Sequence, residues 1–257
     1  MAKRASKDRG AGERLYGITP VESALEAQRR SLHGIWIRPP RGSEQNERLA
    51  GIRDRAEGLG LPVRELDSDG LERRAGTQMH QGVVLDCGAL PLLAARDLTD
   101  EPPSTGDVIL ALDQIEDPQN VGGLVRAAAF LGARAVLVHR SRRAPLNATV
   151  SKASAGTLEA FPIGESGNLA DALLRFAREG WRIVGSALDP TAVDHRRVDP
   201  GPPTVLVVGN EGRGIRTLTA KRCDTIVSIA RRGPAESLNV TVAAAILLDH
   251  LTAPGQM

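Results

Sequence analysis

Five segments of the chain are apolar at nearly every position: "DVILALD" from Asp107, "RAVLVH" from Arg134, "WRIVGSA" from Trp181, "TVLVVG" from Thr204 and "DTIVSI" from Asp224. A strand with one face in water alternates polar and apolar residues. One that does not alternate is covered on both faces, the condition of a mainly parallel sheet between two layers of helix. The intervening stretches supply those helices: "GGLVRAAAFLG", "NATVSKASAG", "NLADALLRFAREG" and "SLNVTVAAAILLDHL". From Asp107 onward the chain therefore reads as one α/β domain.

Ahead of it the pattern is shorter and more mixed. "PVESALEAQ" and "NERLAGIRDRAEGLG" are helical, whereas "GIWIR", "LPVREL" and "GVVLD" are extended. These form a smaller α/β unit over residues 14–90. The stretch "ALPLLAARDLTDEPPSTGD" breaks any period with prolines and turn formers, which places a linker at 91–106 between that unit and the domain at 107–257. Residues 1–13 are charged without an apolar segment and read as a basic, disordered tail, although a short basic arm could also touch RNA.

The 33 basic residues are nearly balanced by 31 acids, so net charge by itself is a weak argument for a nucleic-acid partner. Aromatic residues make up only 2% of the chain, too few for the stacking platforms of single-strand binders. The two cysteines, Cys87 and Cys223, are far apart and have no companion cluster, so neither a disulfide framework nor a zinc site is expected. The histidines, His33, His80, His139, His195 and His250, are scattered. No metal is expected, and the setting implied is reducing and cytoplasmic, without a membrane segment.

Three segments interrupt the strand-helix rhythm with polar residues at strand ends, where ligands of open α/β sheets bind. In "LDQIEDPQNVGGLVRAAAFLGA" Asn120 stands near a helix start and Arg126 lies among apolar neighbours, on a partly apolar face where a charge needs a partner; helix capping and surface charge are the alternative readings. In "VVGNEGRGI" the residues Gly209, Asn210, Glu211 and Gly212 follow an apolar strand. The segment lacks the Gly-Lys-Ser/Thr ending of a triphosphate loop and the spacing of a dinucleotide fingerprint. It is a tight bend or a seat for a flat ligand. In "VSIARRGPAESLNVTVAAAILLDHL" a loop with Arg231 and Arg232 leads to Ser237 and Asn239, either of which can cap the apolar helix that follows.

Together, in this order and spacing, the three segments resemble the motifs of the SpoU (TrmH) family of S-adenosylmethionine-dependent RNA ribose 2′-O-methyltransferases. Asn120 and Arg126 match the first motif, Gly209 to Gly212 the second, and Ser237, Leu238 and Asn239 the third. The smaller unit, from "LYGITPVESAL" to "HQGVV", resembles the substrate-binding domain of the two-domain members that methylate a guanosine of large-subunit (23S) ribosomal RNA. The resemblance implies a SPOUT-type catalytic domain with a trefoil knot, a homodimer joined through the last helix, and an RNA substrate. It also implies S-adenosyl-L-methionine as cofactor, held at Gly209, Asn210, Gly212, Ile229 and Leu238. Arg126 would be the catalytic arginine, with Asn120, Glu211, Ser237 and Asn239 orienting it and the ribose. A transfer-RNA target and a catalytically silent RNA-binding assembly factor are the rival readings. The chain departs from the pattern at Ala230, Arg231 and Arg232, where a proline-methionine pair is common.

Overall fold

The computed structural model of the chain describes residues 12–39, 44–189, 191–210 and 212–252, divided into two units at Pro91 and Leu92. The first unit contains β1 (Glu13–Tyr16), α1 (Ile18–Ala27), β2 (Leu32–Ile37), α2 (Glu44–Gly58), β3 (Val63–Glu65), α3 (Ser68–Ala75) and β4 (Val83–Cys87). Its sheet has the order β1-β4-β2-β3, with β3 parallel to β2 and the other pairs antiparallel. Leu15, Ile35 and Leu85, paired across three strands and fully buried, carry one face of that sheet into the core with Val21 and Leu25 of α1. Sequence pattern misses β1, which is short and opens on two charged residues, and α3, in which charge dominates and Leu71 is the only large buried side chain.

In the second unit come β5 (Leu93–Ala94), a 3-10 turn at Ala95–Thr99, β6 (Val108–Asp113), α4 (Pro118–Phe130), β7 (Ala135–His139), α5 (Ala148–Ala153), α6 (Thr157–Ala160) and β8 (Ile163–Ser166). There follow α7 (Leu169–Arg178), β9 (Arg182–Ser186), β10 (Val193–Asp194), a 3-10 turn at His195–Arg197, β11 (Thr204–Gly209), α8 (Thr217–Ala220), β12 (Thr225–Ser228) and α9 (Val240–Thr252). Among the described residues the strands run β10-β12-β9-β11-β6-β7-β8-β5, and every pairing is parallel. The uninterrupted apolar strands therefore lie where continuous apolarity puts them, in the middle of a sheet covered on both sides. On one side Leu169, Leu173 and Phe176 of α7, with Trp181, pack against Ile109, Ile183 and Val205; each such burial is worth about 1.5 to 3 kcal/mol.

The stretch expected to be a linker, 91–106, is folded in part. Its β5 pairs with β8, and Leu98 of the following turn lies where a Cβ on Gly164 would meet its Cδ1 at 2.6 Å. Two short apolar groups, Leu93–Ala94 and Leu98, are enough to recruit it to the sheet edge, and the prolines sit on either side of them.

Candidate active site

Because all strands of the second sheet are parallel, the ends of β6, β9, β11 and β12 lie along one edge. A cavity of ≈ 600 Å³ opens there, lined by Ser186 at the end of β9, Gly209 at the end of β11 and Asn210 after it, Ile229 after β12, and Ser237 and Leu238 ahead of α9. Val208 contributes a buried apolar wall and Leu238 a half-exposed one, while Asp189 supplies a carboxylate. Mixed lining and this volume suit a ligand of nucleoside size.

The bend at Gly209 is held by its own backbone. Gly214 N donates to the Asn210 carbonyl at 2.7 Å, Gly212 N donates to Asn210 Oδ1 at 3.0 Å, and the chain folds back over β11. A Cβ on Gly209 would lie 2.2 Å from the Gly214 carbonyl carbon and 2.4 Å from Ile215 N. The glycine thus makes room for the returning loop itself, whereas sequence reasoning left open whether ligand or backbone approaches it.

The far end of this loop is fastened by a pair that the sequence reading did not single out. Asp113, fully buried at the end of β6, accepts from Arg216 Nε at 2.7 Å and from Arg216 N at 2.9 Å. The signal was present in part, as a carboxylate closing an apolar strand must find a donor. Its partner lies 103 residues away, beyond the reach of local pattern. Nearby, burial first, and then Arg216, hold His139 below the usual imidazole range; its Nδ1 accepts from Ser141 N and Arg142 N.

The first and third motifs meet directly. Asn239 caps α9 by accepting from Thr241 N at 2.9 Å, and its Nδ2 donates to Asn120 Oδ1 at 2.8 Å. The cap of α4 is Asp117, accepting from Gln119 N at 2.9 Å; the capping reading of Asn120 is therefore corrected, and its side chain serves instead to hold Asn239. The helices approach closely because Gly123 offers no side chain: a Cβ there would meet Thr241 Cγ2 at 2.9 Å.

Arg126 requires a second correction. It is exposed, on the same side of α4 as Gln119 and Phe130, and pairs with none of the described residues, so it is not a charge on a buried face in search of a partner. The buried stripe runs instead through Val121, Leu124, Val125 and Ala128. Glu211 lies outside the described residues. Of the other residues singled out from sequence, Gly209, Asn210, Gly212, Ile229, Ser237 and Leu238 line the cavity. Asn120 and Asn239 are joined beside it, and Arg126 stands apart. Ser186 and Asp189, which sequence reasoning missed, end and follow β9, a strand with no distinctive motif. Burial pushes the Cys223 thiol up to about 12, so it is an inert packing group near Gly185. Among the described residues no cluster of His, Cys, Asp and Glu could hold a metal, and no helix is long and apolar enough to cross a membrane.

The model of the "SpoU rRNA Methylase family" matches residues 107–249. The chain belongs to the SpoU rRNA methylase family. Residues 14–92 match the model for "RNA 2′-O ribose methyltransferase substrate binding", so this SpoU protein is a two-domain RNA ribose 2′-O-methyltransferase. It is similar to a 23S rRNA (guanosine-2′-O-)-methyltransferase of Acinetobacter baylyi, 36% identical over 92% of this chain and 95% of the relative. An uncharacterized tRNA/rRNA methyltransferase of Mycobacterium ulcerans is 36% identical over 93% of this chain and 76% of its own length. The fold is shared with an AdoMet-bound rRNA methyltransferase from Sinorhizobium meliloti, 23% identical, with a TM-score of 0.76 over 92% of this chain and 85% of the other.

Proposed function

We propose that this SpoU protein transfers a methyl group from S-adenosylmethionine to the ribose 2′-hydroxyl of a guanosine in large-subunit ribosomal RNA. The observation that carries the reading is the cavity at the tips of β9, β11 and β12, in which two of the three family motifs converge while the third is tied to it through Asn120 and Asn239. The named activity of the Acinetobacter relative, which matches almost end to end, supports the ribosomal target.

The residues present fit the cofactor. Val208, Ile229 and Leu238 offer apolar surface for adenine, the Gly209 turn exposes main-chain groups at the same wall, and Asn210 and Ser237 add polar contacts. Asp189, whose carboxyl is held below the usual range by its bonds from Thr191, adds negative charge at the rim at neutral pH. The bound sulfonium supplies an electrophilic methyl group, and the protein's task is to align it with the ribose oxygen and to stabilise the charge that oxygen develops. Arg126 is the residue for the second task. A guanidinium is a poor proton acceptor, so it acts as an electrostatic clamp on alkoxide and adjacent phosphate, and the proton leaves to phosphate or water. Glu211, Ser237 and the joined pair of Asn120 and Asn239 set the ribose and the arginine.

Two features of the family reading accompany this assignment. After β12, on the far side of β9, the chain returns to pack α9 against α4, β6 and β11, a return that supports the trefoil knot of the family reading. The exposed Val242 and Ile246 of α9 and Phe130 of α4 suit a homodimer in which Arg126 works opposite the partner's cavity. The enzyme acts in the cytoplasm. The test is ribose-methylation mapping of total RNA from cells with and without the gene: loss of one guanosine methylation in large-subunit RNA is expected, loss in transfer RNA would move the address, and no change would refute the activity.

A further inference from the structure

On one side of the first unit's sheet a cluster of side chains stands that methyl transfer does not use. Register sets Tyr16 of β1 beside Val84 of β4, Val84 beside Trp36 of β2, and Trp36 beside Arg64 of β3. Cross-strand partners share a face, so this row projects to one side, and two residues along the strands Arg14 and Asp86 form a second row there. The Arg64 Cζ lies 4.9 Å from the Trp36 ring centroid, and that of Arg74, reaching from α3, lies 4.0 Å from it. Trp36 Nε1 donates to Asp86 Oδ2 at 2.8 Å, Arg74 pairs with the same carboxylate, and Arg14 stands 3.7 Å from it.

Three guanidiniums thus surround one indole and one carboxylate. Elsewhere in this unit Arg48 pairs with Glu22, Arg53 with Glu65 and Arg55 with Glu26, each with one carboxylate. Arg64 is exposed and forms no ion pair with a described residue. A guanidinium resting on an aromatic ring is pre-positioned while its edge keeps N–H donors for a planar, anionic group, the geometry suited to phosphate. We propose that Arg64, supported by Trp36, with Arg74 on the same ring and Arg14 beyond it at Asp86, grips the phosphate backbone of the substrate RNA. The assignment rests on the RNA-methyltransferase reading and gives its substrate-binding domain a definite contact surface.

The chain has two tryptophans, and Trp181 is buried in the second unit, so a Trp181→Phe protein leaves Trp36 as the sole indole reporter. Titration with an unmodified 23S rRNA transcript is expected to change the Trp36 emission. Arg64→Ala is expected to lower the slope of log affinity against log salt by about 0.7 to 0.9, the value of one phosphate contact, and Arg64→Lys to restore it. Thermal melts of Arg64→Ala and wild type are expected to differ by no more than the loss of one exposed cation–π contact, because Arg64 holds no carboxylate. Unchanged emission at saturating RNA, an unchanged salt slope in Arg64→Ala, or no binding to the transcript overturns the proposal. Methylation of the same transcript by the wild-type protein is read separately; its absence refutes the ribosomal target while emission and slope still report on the surface.

Discussion

The Asn239 side chain caps α9 with its oxygen and, with its nitrogen, holds Asn120 of α4 at 2.8 Å, joining two motifs 119 residues apart. Asn239→Ala removes both bonds. Loss of the cap costs about 1 kcal/mol in stability. Asn239→Asp keeps the cap acceptor and loses the donor, so its melting temperature is expected to exceed that of Asn239→Ala while its turnover falls comparably. Equal turnover for Asn239→Asp and wild type would show that the bridge is not used.

Gly209→Ala places a methyl group where the Gly214 carbonyl carbon lies 2.2 Å away. Backbone, not a flexible side-chain tip, must then move, and the displaced loop lines the cavity. Affinity for S-adenosylmethionine, measured by calorimetry, is expected to fall at least about tenfold, a loss of about 1.4 kcal/mol. Undiminished affinity would mean the loop is not part of the cofactor seat.

Arg216→Ala leaves the fully buried Asp113 carboxylate without its cationic partner. Breaking a fully buried pair from one side costs about 3 to 5 kcal/mol. Here the Arg216 side chain is 30% exposed and its main-chain N–H still serves Asp113, so the loss is expected at or below the lower end, about 2 to 3 kcal/mol. Denaturant unfolding is expected to show a loss of that order, and Asp113→Asn in the Arg216→Ala background is expected to recover part of it by removing the stranded charge. A loss below about 1 kcal/mol would place this pair with surface ion pairs.

Arg126 is exposed and unpaired among the described residues, so its removal separates catalysis from folding. Arg126→Ala is expected to melt within about 0.5 kcal/mol of wild type, as surface substitutions do. It should bind cofactor normally and lose about 100- to 1000-fold in kcat, the scale of removing one group that stabilises developing oxyanion charge. Near-normal turnover would reassign the role.

Exposed Val242 and Ile246 stand one helical turn apart on α9. Light scattering is expected to give a dimer for the wild-type chain, and Ile246→Glu a monomer, since a carboxylate in an apolar contact is costly to desolvate. A monomeric wild type at micromolar concentration would exclude the interface.

Much of this was written locally. Unbroken apolarity in "DVILALD" and "TVLVVG" is the direct consequence of burial on both faces, and the structure pairs these two strands, β6 and β11, side by side at the centre of the sheet. The glycine of "VVGNEGRGI" was legible as a point of close approach. What approaches it was not, because Gly214 reaches Gly209 only when the loop closes. Arg126 misled for a related reason: apolar neighbours in sequence lie around a helix, and the 3.6-residue period carries the arginine to the outer side.

The sequence alone determined the covered parallel sheet, the family motifs and the chemistry those residue types permit, since periodicity and side-chain character are properties of short segments. The tertiary structure decided which polar groups meet. Asn239 reaches Asn120, Arg216 reaches Asp113 and Arg74 reaches Trp36 across separations that no local pattern records, because a hydrogen bond or ring contact depends on distance in space and only packing sets that distance.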